Sequence, residues 1–434
     1  MNIKPTFVIS CAIDTYSGYG SRSRDLVKSI IQTEKYEVKI LPQRWGGTSW
    51  GFIDDHEEWH FLKNHILFDN KLTAQPDIWM QITIPNEFQP IGKYNIGCTA
   101  GIETTVCKPE WIEGMNRMDM NWVSSNFSKE TFENSTYSKK DKKTNQTLGE
   151  IKLTKPIEVV FEGANINIYK HLASAQIKNI NLDSIKEKFC FLFVGHWMQG
   201  DFGHDRKNVA LLIKAFYEVF KNKKNPPALI LKSSIGVASY MSRDEILKRI
   251  QKIKKSVNSH TLPNIYVFNG EIDDKEMNEL YNHPKIKSMV SFTKGEGFGR
   301  PLLEFSLSNK PIIASSFSGQ LDFLHPEYTY LVPGVLEHVH KSAVNDWLIK
   351  EAQWFKPDEG HIGNSLKEVF EKYKEYAVKG KRQGYHARTN FSYNKMAELV
   401  EDILDENIPK FPKQVELKLP KLDLPKLPKL KKIK

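Results

Sequence analysis

Cysteine is scarce in this chain: four among 434 residues, at positions 11, 98, 107 and 190, with no Cys-x-x-Cys spacing. That pattern argues against a disulfide framework, and buried free thiols in a reducing cytoplasm are the expectation. Long apolar runs are missing too. Nothing approaches the ~18 consecutive apolar residues that would span a bilayer. The opening MNIKPTFVISCAID has an apolar stretch of strand length only, and reads as a first core strand and not as a signal peptide. No Asp-x-Asp triplet occurs, so a metal-bridged diphosphate is not indicated, and no bound metal or cofactor is expected. No Gly-x-Gly-x-x-Gly occurs either, which removes the dinucleotide fingerprint.

What remains is a globular composition, 40% hydrophobic and 26% charged, long enough for two domains. The net charge of +10 is uneven. From Phe411 to Lys434, eight lysines face only Glu416 and Asp423, so this tail supplies +6. The body is mildly basic, and the total does not imply a global nucleic-acid surface.

The C-terminal half alternates. Strands are expected at 188–195, 228–234, 264–270, 288–293 and 311–316, with helices at 208–220, 242–257 and 274–283 between them. The N-terminal half offers strands at 6–13, 36–41, 77–84, 94–100 and 120–126, and a closing segment at 155–165. Strands alternating with helices predict right-handed βαβ units and doubly wound parallel sheets. Ligands bind such sheets at the C-terminal ends of the strands. Residues 138–150 are polar and lysine-rich, and read as a solvated loop.

The most informative stretch is KGEGFGRPLLEF, Lys294–Phe305. A short apolar strand leads into glycines, then Pro301, then an apolar helical pattern. Proline favours the first turn, so a helix is predicted from about Pro301. Glu296 then lies in the loop, and Glu304 one turn into the helix, facing back. Glycines allow close backbone approach, and a helix start favours phosphate. Two acceptors beside an anion site suit a sugar nucleotide.

At these residues the chain resembles glycosyltransferase family 4, of the GT-B fold, whose motif reads EGFGxPxLE. The resemblance implies two Rossmann-like domains facing a cleft: residues 1–165 on the acceptor side, 166–384 holding a nucleotide-diphosphate sugar, and 406–434 a tail. A final helix near 385–405 is expected to pack back on the first domain. It also implies a retaining, metal-independent transfer to a hydroxyl acceptor. Glu296, Lys207 and Arg206 become the candidate catalytic residues. The family has a basic pair after the first strand of this half. Lys207 matches its second member, while His196 stands where an arginine is usual. Arg206 or His204 could then supply the first cation.

Further donor-side candidates are Glu304, Gly297, Phe298, Gly299 and Arg300, with Gly18 and Gly20 in the first glycine turn. Gly270 lies in a loop resembling the one near the base, and Ser318 and Gly319 in one resembling that beside the donor. Arg300 could face phosphate or acceptor, or lie at the surface. On the acceptor side stand Glu103, Asn86, Trp45 and Trp50. Where many family members have a histidine, the loop after Ala100 offers Glu103. The aromatic run Trp45, Trp50, Phe52, Trp59 either binds sugar or packs on itself. The Lys/Leu/Pro tail either touches an anionic membrane or polymer, or is a plain basic extension. The acceptor is open: a glycan, a lipid-linked sugar, or DNA with hydroxymethylated bases. A non-catalytic GT-B module that binds glycan is the rival class.

Overall fold

The computed structural model describes residues 4–411, apart from 68, 70, 142, 143 and 145. The readings made for the tail therefore lie outside the described residues. The first domain is built on β1 (Thr6–Cys11), α1 (Gly18–Gln32), β2 (Glu37–Pro42), a short α2 (Phe52–Asp55), β3 (Ile78–Ile82), β4 (Tyr94–Cys98), α3 (Pro109–Asn116), β5 (Met120–Val123) and α4 (Asn126–Asn134). A hairpin of β6 (Tyr137–Lys140) and β7 (Thr147–Ile151) precedes β8 (Ile157–Val159). The main strands pair in parallel in the order β2-β1-β3-β4-β5-β8. Both faces of such a sheet are covered, which explains why β1 and β3 read as continuous apolar runs.

The second domain repeats the plan with β9 (Cys190–Val194), α5 (Val209–Phe220), β10 (Ala228–Lys232), α6 (Tyr240–Lys255), β11 (Ile265–Phe268), α7 (Asp274–Asn282), β12 (Ile286–Ser291), α8 (Arg300–Ser306), β13 (Ile312–Ser315) and β14 (Tyr330–Val332). Its sheet runs β11-β10-β9-β12-β13-β14, again parallel. Helix α5 buries Val209, Leu212, Ile213, Phe216 and Phe220, a helical period facing the sheet. A hairpin, β15 (Gly334–His338) with β16 (Gln353–Pro357), carries its own small core of Val339, Ala343, Leu348 and Trp354.

Helices α9 (Glu359–Glu371), α10 (Tyr373–Asn390) and α11 (Tyr393–Asn407) finish the described chain. Helix α11 lies on α1, with Met396, Val400, Ile403 and Leu404 in the first domain's core. The two interdomain crossings touch: Ala164 N–H donates to Phe391 O (2.9 Å), and Tyr393 N–H to Ala164 O (2.8 Å). A Cβ at Gly163 would stand 2.7 Å from Tyr393 Cα, so the crossing needs a glycine there.

The stretch read as a solvated loop is a two-stranded antiparallel hairpin, β6–β7. Its apolar contact is confined to one end, where Tyr137 pairs with Ile151, so no periodicity marked it. All four cysteines are buried and free. Among the described residues no helix is long and apolar enough to cross a membrane.

Candidate active site

In each sheet the chain winds outward from one strand, then returns to that strand's other side. The reversals fall between β1 and β3 and between β9 and β12. Crevices at such switch points bind ligands in open α/β sheets. The loops after β9 and β12 carry the two strongest sequence signals into one place.

The loop after β9 ends in Asp205-Arg206-Lys207-Asn208. Asp205 Oδ2 accepts from Val209 N–H at 3.0 Å and caps α5. That cap presents the next two side chains to the loop after β12. Lys207 Nζ lies 2.6 Å from Glu296 Oε1, and Arg206 Nη1 lies 3.3 Å from Glu296 Oε2. Arg206 also donates to Gly295 O (2.7 Å) and pairs with Glu103 at 3.5 Å across the domain boundary. Burial alone would raise Glu296, but Lys207 and Arg206 hold it below the usual carboxylate range. Burial pushes Lys207 down, against the pull of Glu296.

Glu296 is braced from a third loop. Its N–H donates to Ser318 Oγ (2.9 Å), and its carbonyl accepts from Gly319 N–H (3.0 Å). Ser318 holds a φ of 70°, a costly backbone for a serine, kept where it supports the glutamate. Gly299 turns into α8 at a φ of 97°, and Phe298 is buried behind it.

The His196 ring is held by the loop after β10. Its Nδ1 pairs with Ser234 Oγ (2.9 Å), and burial, with Lys207 and Lys232 nearby, holds it below the usual histidine range. His204 stacks on His340 with ring centroids 3.9 Å apart. Arg206 is the cation brought to Glu296. Arg300 is largely buried among carboxylates: Asp25 lies 2.6 Å away, Glu304 2.8 Å and Glu162 4.0 Å. Burial pushes Glu304 up to about 7, with Asp274 and Asp25 adding to it and Arg300 opposing.

The other candidates are spread around this centre. Gly20 N–H is capped by Ser17 Oγ (2.9 Å), and a Cβ at Gly18 would meet open space. Trp45 stacks on Tyr19 at 3.7 Å, and Tyr19 Oη contacts Thr99 Oγ1 (3.0 Å) on the cleft wall. Trp50 is exposed beneath Arg44, its backbone bridged to Thr15 in the first glycine turn. The aromatic loop packs on itself and on α1: Phe52 stacks on His56 and sits under Arg24. Asn86 accepts from Arg117 through its carbonyl (2.8 Å), in the turn after β3. Gly270 O accepts from Lys232 Nζ at 2.6 Å. A hollow of about 690 Å³ between α5 and α6, lined by Trp197, Phe202 and Arg249, lies behind the β9 loop and outside this cluster.

Sequence reasoning passed over Asp25, Glu162 and Lys232. One signal was present: Arg22, Arg24 and Asp25 are charges crowded into a stretch of α1 that is buried on every side. Charges there need partners from elsewhere in the fold.

Residues 182–354 match the family model of the group 1 glycosyl transferases. The greater part of the second domain is thus similar to the group 1 glycosyl transferases. The whole chain has the GT-B fold. HepE of Anabaena, solved with UDP-glucose, is 13% identical, with 93% of this chain and 100% of that one covered and a TM-score of 0.57. Sucrose-phosphate synthase of Thermosynechococcus elongatus is 13% identical over 93% and 98%, with a TM-score of 0.60. A trehalose-6-phosphate synthase studied for glycosyl transfer with retention is 11% identical over 93% and 100%, with a TM-score of 0.58. At such identities the likeness defines the fold. No curated protein matches the chain by sequence.

Proposed function

We propose that this protein is a glycosyl transferase of family 4. It moves a hexose-like sugar from a nucleotide-diphosphate donor to a hydroxyl acceptor, with retention and without a bound metal. The observation that carries the reading is the convergence of Lys207 and Arg206 on Glu296 at the second sheet's switch point. As the bond from the anomeric carbon to phosphate breaks, negative charge collects on the diphosphate. Preorganised cations at that spot stabilise it. Lys207 and Arg206 are already aimed, and donor phosphate would draw them from Glu296. The freed carboxylate then faces sugar hydroxyls, and Glu304 faces the ribose. The acceptor oxygen attacks on the face the diphosphate leaves, and a phosphate oxygen takes its proton, so no protein nucleophile is needed. A fold neighbour solved with UDP-glucose and another studied for retention support the donor class and the stereochemistry.

The test is a screen of UDP-, GDP- and ADP-sugars for hydrolysis and thermal stabilisation, with and without EDTA. One donor class should release its nucleoside diphosphate in either condition, and NMR of the product should show the donor's anomer. Abolition by EDTA with rescue by Mg²⁺ would overturn the metal-free reading. Absence of any hydrolysis or stabilisation would favour the non-catalytic glycan-binding module. DNA with hydroxymethylated bases is tested as an acceptor beside free and lipid-linked glycans. A DNA affinity that falls steeply with salt would favour it.

A further inference from the structure

We propose that Arg300 is a positioning residue that ties closure of the two domains to the aim of Glu304. The inference rests on the reading of Glu304 as the partner of the donor ribose.

The guanidinium spans the domain boundary. Its Nη1 lies 2.6 Å from Asp25 Oδ2, on α1 of the first domain, and 4.0 Å from Glu162 Oε2, in the segment after β8. Its Nε lies 2.8 Å from Glu304 Oε1, one turn along α8. All four side chains are at most 18% exposed, so water screens these contacts little. Arg22, whose guanidinium bonds the Val160 and Phe161 carbonyls, adds a second positive charge beside Glu162.

Among the described residues Asp25 bonds no other side chain, and it is linked to Glu304 through Arg300. Its position depends on the first domain, and that of Glu304 on the second. With the domains together, Asp25 and Glu304 hold Arg300 from opposite sides, and Arg300 pins one oxygen of Glu304. With the domains apart, Asp25 leaves with α1, and Arg300 is free to follow or to collapse fully onto Glu304. Either way the carboxylate loses its fixed aim. Removing one member of a buried ion pair leaves the other uncompensated, so the cluster favours the closed arrangement. Close backbone contacts accompany it: Ser124 Oγ bonds Gly297 O (3.2 Å), and Asn126 N–H bonds Asp322 Oδ2 (2.9 Å).

The test uses the full chain and the variants Asp25→Asn, Arg300→Lys, Arg300→Met and the Asp25→Asn/Arg300→Met pair. Each is titrated with UDP, GDP and ADP by calorimetry, and each is compared by small-angle X-ray scattering without nucleotide. Asp25→Asn and Arg300→Met should each weaken the nucleotide that the unaltered protein binds by about tenfold, within the usual range of coupling between sites. Both should enlarge the radius of gyration. The double variant should be no weaker than the worse single one, because both act through one link. Arg300→Lys should recover part of the loss. If Asp25→Asn binds within about twofold and scatters like the parent, the link is refuted; losses that multiply in the double variant refute it too. If the unaltered protein binds none of the three nucleotides, the donor reading fails instead, and the scattering comparison still decides the tie between domains.

Discussion

Lys207 Nζ and Glu296 Oε1 stand 2.6 Å apart, one at the start of α5 and the other in the loop before α8. Neither loop positions its charge alone. Lys207 is aimed by the Asp205 cap, and Glu296 is held by Ser318 and Gly319. The pair marks where the two strongest sequence motifs become one site. Lys207→Ala should therefore lower turnover by roughly 10²-fold or more, the scale for losing one preorganised stabilising group. Steady-state kinetics with the donor found in the screen would measure it. Turnover preserved within a few-fold would shift the charge to Arg206.

Glu304 gives a pH signature. Its carboxyl is pushed by burial to about 7, above its usual 4.5, with Arg300, Asp25, Asp274 and Tyr281 facing it. A raised folded pKa means that its contribution to stability is fully present below about 4.5 and is lost as pH rises through about 7. Glu304→Gln should flatten that fall, read by denaturant unfolding on either side of the window. Nucleotide affinity should run the other way, rising through about 7 as the carboxylate forms and accepts the ribose hydroxyls. Glu304→Gln should weaken binding and remove the rise. An affinity flat with pH in the unaltered protein would remove Glu304 from the ribose.

Gly297 is a contact between domains. A Cβ there would stand 2.3 Å from Ala100 O, backbone of the other domain. Gly297→Ala should cost turnover on the order of 10²-fold, since small displacements of reacting groups cost that much. Each domain can keep its own core, so the melting temperature should change little. A large drop in melting temperature with full activity would contradict this.

The tail yields a prediction from charge. Residues 412–434 carry eight lysines against Glu416 and Asp423, and none of the site residues. Phe411, just before them, packs on the first domain's core, so truncation should follow it. Donor hydrolysis should stay near normal, while binding to anionic vesicles or DNA should fall, most at low salt. Aggregation or lost hydrolysis would make the segment structural.

Much of this protein was legible because the signals are local. The strands at 188–195 and 228–234 and the helix at 208–220 follow from apolar period, and Glu296 and Glu304 from a strand–glycine–proline–helix pattern nine residues long. Periodicity and turn chemistry act over a few residues, so a sequence carries them openly. The β6–β7 hairpin escaped because its short strands carry too few apolar residues to mark a face, with Leu148 exposed and Ile151 at the strand end.

What the tertiary structure decided is which charges meet. Whether Arg206, His196 or His204 stands against Glu296 depends on how one loop folds over the C-terminal ends of the central strands. That Arg300 meets Asp25 depends on residues 275 positions apart being brought together by two domains. A lone arginine between Gly299 and Pro301 fits surface, phosphate or carboxylate equally well. Only burial, which makes an unpaired charge costly, selects among them, and burial is a property of the assembled fold.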